Sequence, residues 1–343
     1  MAEVKLNILY ITQEGLYLHH ELEKIKVERK QETIMELPIH HLQGITIFGI
    51  CSISPSLLQK CLERGIFVSY LTARGKFMGR LEGANSGNVL LRKAQFKKSE
   101  MDAEKLKIAK SIIAGKIQNS RLNLLRSARD LKDETKEKEI RNVVLDLERN
   151  LTSLEQASSV ESARGYEGNS AKSYFSVFDH CIVQQKKDFE FTKRMKRPPK
   201  SRINALLSFT YSLLSNDCIS ACQAVGLDPF IGFLHEERPG RPSLALDLME
   251  EFRPFADRFV LTLINRKQIK ASDIIEKTGS VYTLTNDGRK ALLTAYHNRK
   301  QEEVTHYLLE QKCRIGELFL LQARILARSI RGEMPLYAPY IWR

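Results

Sequence analysis

Residues 82–88, E-G-A-N-S-G-N, separate two stretches of this chain whose apolar residues recur at different periods. Gly, Asn and Ser at that density suit a connector and suit neither a strand nor a helix interior. Before the connector, residues 5–12 alternate and end at the Glu14-Gly15 turn, and residues 24–28 and 33–37 form further short strand patterns. Residues 44–50 read as a buried apolar strand. One helix interrupts these strands, opened by Ser54 as N-cap with Pro55 at its first position and closed at Gly65. Its apolar stripe is Leu57, Leu58, Cys61 and Leu62. Residues 67–71 and, after a turn at 73–76, residues 77–81 return to strand. Beyond the connector the pattern is helical over residues 93–118, 120–131 and 136–156, and an apolar helix covers 203–225, closed by Gly226 and Pro229. The expected fold is α+β, with a small N-terminal β-sheet domain over residues 1–84, a linker over 85–92 and a larger all-α domain over 93–343. A chain of 343 residues, 43% of them hydrophobic, has enough apolar surface for each part to bury its own core.

Charge narrows the partners. The chain carries 54 Lys and Arg against 41 Asp and Glu, a net +13, which favours a polyanion. A membrane is disfavoured, because no run of 18 apolar residues occurs and the N-terminus has neither a basic n-region nor a cleavage site. The expected location is the cytoplasm. The six cysteines form no C-x-x-C pair and no zinc-finger spacing, so they read as core thiols, Cys218 and Cys222 included.

Three stretches carry candidate chemistry. Residues 186–202 hold eight Lys or Arg, two acidic residues and a helix-breaking Pro198-Pro199 pair. That composition suits a loop gripping a nucleic-acid backbone, although a solvated charge run would have it too. On the following helix Asn204, Ser208, Tyr211 and Ser215 make a polar stripe, read either as a pocket floor or as buried, satisfied polar groups. In residues 164–175, Glu167 lies between two glycines, a weak signal that a turn or cap facing water would also give.

The third stretch, residues 232–258, places His235 on an irregular segment, then an Arg-bearing Pro/Gly loop, then a short helix with Ser243 as its N-cap. Ala245, Leu248, Met249 and Phe252 fall at the spacing of a buried face, leaving Asp247 and Glu250 on an adjacent polar edge. Imidazole and carboxylates together suit a hard or borderline divalent cation. Arg238, Arg241, Arg253 and Arg258 surround the cluster, as a site holding metal and phosphate together would require. The HEERP segment is no zincin signature, since no second His lies four residues on.

Taken jointly, several motifs resemble the CRISPR-associated adaptation integrases, the universal metal-dependent endonucleases of spacer acquisition. They are S-I-S-P-S-L-L-Q-K-C-L-E-R-G-I-F-V-S-Y-L, S-G-N-V-L-L-R-K-A-Q, G-Y-E-G with its following Y-F, R-P-P-K-S-R-I-N-A-L-L-S-F-T-Y-S-L-L, G-L-D-P-F-I-G-F-L-H and S-L-A-L-D-L-M-E-E-F-R-P. Each is modest alone, but their order and spacing cover essentially the whole chain. The resemblance implies a homodimer that inserts short DNA fragments into a repeat array, with a small dimeric partner subunit bridging two dimers. It implies Mg²⁺ or Mn²⁺ as cofactor and Glu167, His235 and Glu250 as its catalytic ligands. Asp247 contributes to or supports that set, with Asn204 behind it, and Glu251 is the alternative third ligand by spacing. The side chains expected on double-stranded DNA are Arg92, Arg194, Lys196, Arg197, Arg202, Arg238 and Arg241. The competing function is a non-catalytic DNA-binding scaffold using the same basic surface, and metal binding separates the two.

Overall fold

The computed structural model describes residues 8–72, 75, 77–81, 89–196 and 198–342. The turn expected at 73–76 and the connector at 82–88 fall largely or wholly outside the described residues, as does Arg197. In chain order the elements begin with β1 (Ile8–Ile11), β2 (Leu16–Glu21), β3 (Lys24–Arg29), β4 (Glu32–Pro38), β5 (Gly44–Phe48) and β6 (Cys51–Ile53). Helix α1 (Pro55–Glu63), β7 (Phe67–Leu71) and β8 (Phe77–Leu81) follow. Two four-stranded sheets result, ordered β1-β5-β7-β8 and β4-β3-β2-β6. The first is parallel except for β8, which runs antiparallel to β7, and the second is antiparallel except for β6 beside β2. Alternation drives the packing: Leu18, Ile25 and Val27 meet Ile45, Ile47 and Val68, and α1 adds Leu57 and Cys61. As the sequence predicts, Ser54 caps α1, its hydroxyl accepting from Leu57 N at 3.1 Å. Sequence reading misses β2, whose Leu16 and Leu18 face inward before the polar His19-His20-Glu21 ends the alternation, and three-residue β6.

The remainder comprises α2 (Val89–Glu100), α3 (Asp102–Arg129), α4 (Glu134–Leu154), α5 (Val160–Ser176), α6 (Arg202–Ala224), α7 (Ser243–Glu250) and α8 (Arg253–Asn265). Strands β9 (Ile274–Lys277) and β10 (Val281–Leu284), helix α9 (Asn286–Gln301), strands β11 (Glu303–His306) and β12 (Gln311–Arg314) and helix α10 (Ile315–Arg331) complete it. The chain is thus mixed α/β, and two short two-stranded sheets correct the all-α expectation for its larger part. By their contacts, Met1–Ser86 and Leu284–Glu302 form one compact unit, and Gly87–Thr283 with Glu303–Arg343 form the other. Helix α9 therefore groups with the β-rich unit, and the expected linker over 85–92 is already helical from Val89.

In the larger unit α3 packs against α4, α5, α7 and α8, while α6 packs against α7, α8 and α10. Ile140, Val143, Val144 and Leu147 give α4 a buried face at helical spacing, each such side chain worth about 1.5–3 kcal/mol. The break expected at residue 119 is absent, because α3 runs on to Arg129. Asn119, the residue between the two expected helical stretches, instead donates to Glu251 O at 2.9 Å and Tyr340 O at 2.8 Å. All six cysteines are free, and burial pushes the thiols of Cys61 and Cys181 up to about 11 and that of Cys218 well above its ordinary value. Among the described residues no helix is long and apolar enough to cross a membrane.

Candidate active site

A cavity of about 140 Å³ opens among α3, α5, α6, α7 and α8, and Glu167, His235 and Glu250 all line it. Glu167 sits mid-helix on α5, not on a turn. The flanking Gly165 and Gly168 have open space where side chains would project. Helix α7 is too short to be stable by propensity and is held by burying Leu244, Ala245, Leu248 and Met249. Pro242 takes the N-cap position, and Ser243 is the first helical residue, its hydroxyl donating to Glu236 O at 2.9 Å. The apolar phase predicted for α7 holds, but its polar edge is not solvated: Asp247 and Glu250 are 0% and 3% exposed.

Asp247 organises the loop that delivers His235. Its Oδ2 accepts from the backbone N–H groups of Phe233 at 2.6 Å and Leu234 at 2.9 Å, and its Oδ1 accepts from His235 N at 2.9 Å. The same Oδ1 lies 2.7 Å from His235 Nδ1, so the ring proton belongs there and the Nε2 lone pair faces Glu250 Oε1 at 3.7 Å. This carboxylate behind an imidazole is the arrangement that fixes the tautomer of a metal-binding histidine. The backbone approaches so closely that a Cβ on Gly232 would stand 2.9 Å from Asp247 Oδ2 and 2.8 Å from Ser243 Cβ.

Two cations complete the site, and Lys116 is the one that sequence reading misses. Lys116 of α3 pairs with Glu167 Oε1 and, at 2.6 Å, with Glu250 Oε2, and Arg253 Nε donates to Glu250 Oε1 at 2.7 Å. Burial alone would push the Glu250 carboxyl up, but Arg253 and Lys116 hold it well below the usual carboxylate range. Burial likewise opposes the charge of Lys116, which Glu250 and then Glu167 keep above the ordinary lysine value. Glu250 Oε2 is buried without a hydrogen bond of sound geometry. An anionic oxygen in that position, beside a second carboxylate and an imidazole lone pair, fits a divalent cation. Among the described residues no three His, Cys, Asp or Glu side chains already surround a common cation position, because the Lys116 ammonium stands between the two glutamates.

Glu251 points elsewhere. It accepts from Tyr337 Oη at 2.9 and 3.0 Å and from Tyr340 N at 3.1 Å, and burial pushes its carboxyl up to about 8. Asn204 stands away from the three ligand candidates: its Oδ1 accepts from Arg194 Nη1 and Met195 N, both at 2.9 Å, and its Nδ2 donates to Lys193 O. Of the polar stripe on α6, Tyr211 lines the cavity and donates to Asp257 Oδ1 at 2.5 Å.

The basic side chains divide. Arg194 turns inward, its guanidinium 5.2 Å over the Tyr211 ring and its pKa lowered by burial. Lys196, exposed over much of its length, reaches the cavity wall, where burial and then Arg253 pull its ammonium below the ordinary lysine value. Arg202 lies 5.5 Å over Tyr282, Arg238 is paired with Glu236 at 2.9 Å, and Arg92 and Arg241 are half-buried. Phe189 and Phe191 are core residues, leaving the loop's charge without aromatic faces for bases.

The family model described as CRISPR associated protein Cas1 matches residues 9–298. The chain belongs to the Cas1 family. It is 44% identical over 342 residues to the CRISPR-associated endonuclease Cas1 1 of Chlorobaculum tepidum, covering 98% of this chain and 99% of that one. Identity reaches 61% over 254 residues with the CRISPR-associated endonuclease Cas1 of Leptospira interrogans, 74% of this chain and all of that one. A CAS1 protein from Thermotoga maritima has the same fold, with a TM-score of 0.81 and 26% identity over 95% of this chain and 97% of that chain. The resemblance drawn from the motifs and the mixed α/β architecture of this Cas1-family chain are therefore both established.

Proposed function

We propose that this Cas1-family chain is a divalent-metal-dependent DNA endonuclease and integrase that joins short DNA fragments into a CRISPR repeat array. The observation carrying the proposal is the convergence of Glu167, His235 and Glu250, from three separate segments, on one cavity, with Asp247 fixing the His235 tautomer. Glu167, Glu250 and His235 Nε2 would hold Mg²⁺ or Mn²⁺, which supplies charge to polarise a phosphodiester and stabilise its leaving oxygen. In strand transfer the 3′-hydroxyl of the incoming fragment attacks phosphorus, the bond to the 3′ oxygen of the cut strand breaks, and that oxygen leaves protonated. In hydrolysis water takes the nucleophile's place. Around this centre Arg253 and Lys196 supply fixed positive charge toward the phosphate, and Asp247 holds the imidazole aimed, with Nε2 turned to the cavity. Double-stranded DNA, a second copy of the chain and a small dimeric subunit bridging two such dimers are the proposed partners, the latter two from the family resemblance.

Glu167→Ala, His235→Ala and Glu250→Ala should each abolish Mn²⁺-dependent cleavage and strand transfer while duplex affinity stays within about threefold, because the phosphate-binding cations remain. The Glu167→Ala, His235→Ala double variant should lose little beyond either single one, since ligands of one centre act as a unit. Retained Mn²⁺-dependent activity in all three single variants would refute the site and leave the DNA-binding scaffold.

A further inference from the structure

We propose that Lys116 is a built-in competitor for the divalent cation: its ammonium neutralises Glu167 and Glu250 in the metal-free protein and must withdraw when a metal enters. The inference rests on the metal-dependent reading above. Its basis is the position of one side chain. Lys116 Nζ bridges Glu167 Oε1 and Glu250 Oε2, the two carboxylate oxygens that a bound cation would need. The lysine side chain is 15% exposed and that of Glu250 4%, so water does little to screen them.

Two cations touch Glu250, and only one is built to yield. The Arg253 guanidinium is held 4.9 Å over the Tyr211 ring and bound to Oε1, a planar group fixed on two sides. Lys116 carries a compact ammonium on a flexible four-carbon stem, which can leave without disturbing the backbone of α3. With Lys116 in place the two glutamates are balanced by two basic groups. Without it, Glu167 and Glu250 would converge on a poorly solvated space with Arg253 as the remaining cation in direct contact and Lys196 farther out on the cavity wall, a repulsive arrangement at this depth. The lysine therefore keeps the empty site folded and lowers its affinity for metal by the same interaction. By linkage, whatever strengthens the ion pairs weakens the metal site equally.

The test measures Mn²⁺ binding to the full-length protein, from the electron paramagnetic resonance signal of free Mn²⁺, for wild type, Lys116→Met, Lys116→Gln and Lys116→Arg. The Met and Gln variants should bind Mn²⁺ at least about tenfold more tightly, and the Arg variant no more tightly than wild type. In EDTA the Met and Gln variants should melt below wild type, and saturating Mn²⁺ should close or reverse that gap. On the unmutated protein, reductive methylation mapped by peptide mass should label Lys116 faster with Mn²⁺ than in EDTA, a readout that does not depend on any variant folding. Equal labelling, unchanged or weaker Mn²⁺ binding in both neutral variants, or equal tightening in Lys116→Arg would overturn the proposal. If wild type binds Mn²⁺ and Glu250→Gln does not, such a result leaves the metal site standing and removes only the lysine's role. If no form of the protein binds Mn²⁺, both readings fall together.

Discussion

Asp247 shows how much a single side chain can organise here. Its two oxygens accept three backbone N–H groups and face one imidazole nitrogen, with no exposure to water. Replacing it by Asn keeps the shape but turns one acceptor into a donor facing donors, a mismatch worth about 1–3 kcal/mol. The imidazole then loses the partner that fixes its tautomer. Asp247→Asn should therefore lower the melting temperature and weaken Mn²⁺ binding by about 10–100-fold, while Glu236→Gln on the exposed loop changes neither. Titration with Mn²⁺ beside a thermal melt checks both, and wild-type metal affinity in Asp247→Asn would remove the residue from the site. The sequence places Asp247 within one turn of Glu250 but leaves its role open, because spacing cannot show which carboxylate meets a loop twelve residues upstream. Lys116 was less legible still. A lysine on a long helix reads as a solvated charge, and only the packing of α3 against α5 and α7 makes it a partner of two glutamates.

At the scale of elements, local signals predicted what local chemistry decides. The Ser54 cap of α1, the apolar phase of α7 and the extent of α6 follow from neighbours in sequence. What failed depended on distant partners. Asn119 looks like a helix boundary until Tyr340 and Glu251 take up its amide. On α3, Gly115 has no side chain because Pro339 of the C-terminal segment would lie 2.5 Å from its Cβ. The junction of α5, α6 and α8 buries another such group. Asp257 is 2% exposed, and burial pushes its carboxyl up to about 6, only partly offset by the Tyr211 hydrogen bond and by Arg194 and Arg253. The folded protein thus holds this proton more tightly than the unfolded chain does. The stability contributed is fully present below the ordinary Asp value and is lost as pH rises through about 6. Urea unfolding from pH 4.5 to 7 should show wild-type stability declining relative to Asp257→Asn, by no more than about 1.4 kcal/mol per pH unit for one proton. Parallel pH profiles would mean that Asp257 titrates alike folded and unfolded.

At the scale of the whole molecule, a net charge of +13 predicts that duplex affinity is dominated by binding to phosphates, and the structure changes which side chains should provide it. Composition alone treats every Lys and Arg of residues 186–202 as equivalent. Arg194, however, spends its guanidinium on Asn204 Oδ1, Met195 O and Ser208 Oγ inside the protein. Lys196 and Lys200 keep exposed side chains along the same segment. Lys196→Ala with Lys200→Ala should therefore weaken binding to every duplex sequence alike and flatten the plot of log affinity against log salt by roughly 0.9 for each phosphate no longer neutralised. Arg194→Ala should instead lower thermal stability, with little change in that slope, because it leaves Asn204 and the Met195 carbonyl short of a donor. Fluorescence anisotropy of a labelled duplex between about 50 and 200 mM salt, alongside thermal melts, separates the two classes. Should Arg194→Ala flatten the slope while the double lysine variant leaves it intact, the inward arginine would be the group that grips DNA, and the segment would have to turn over when DNA binds.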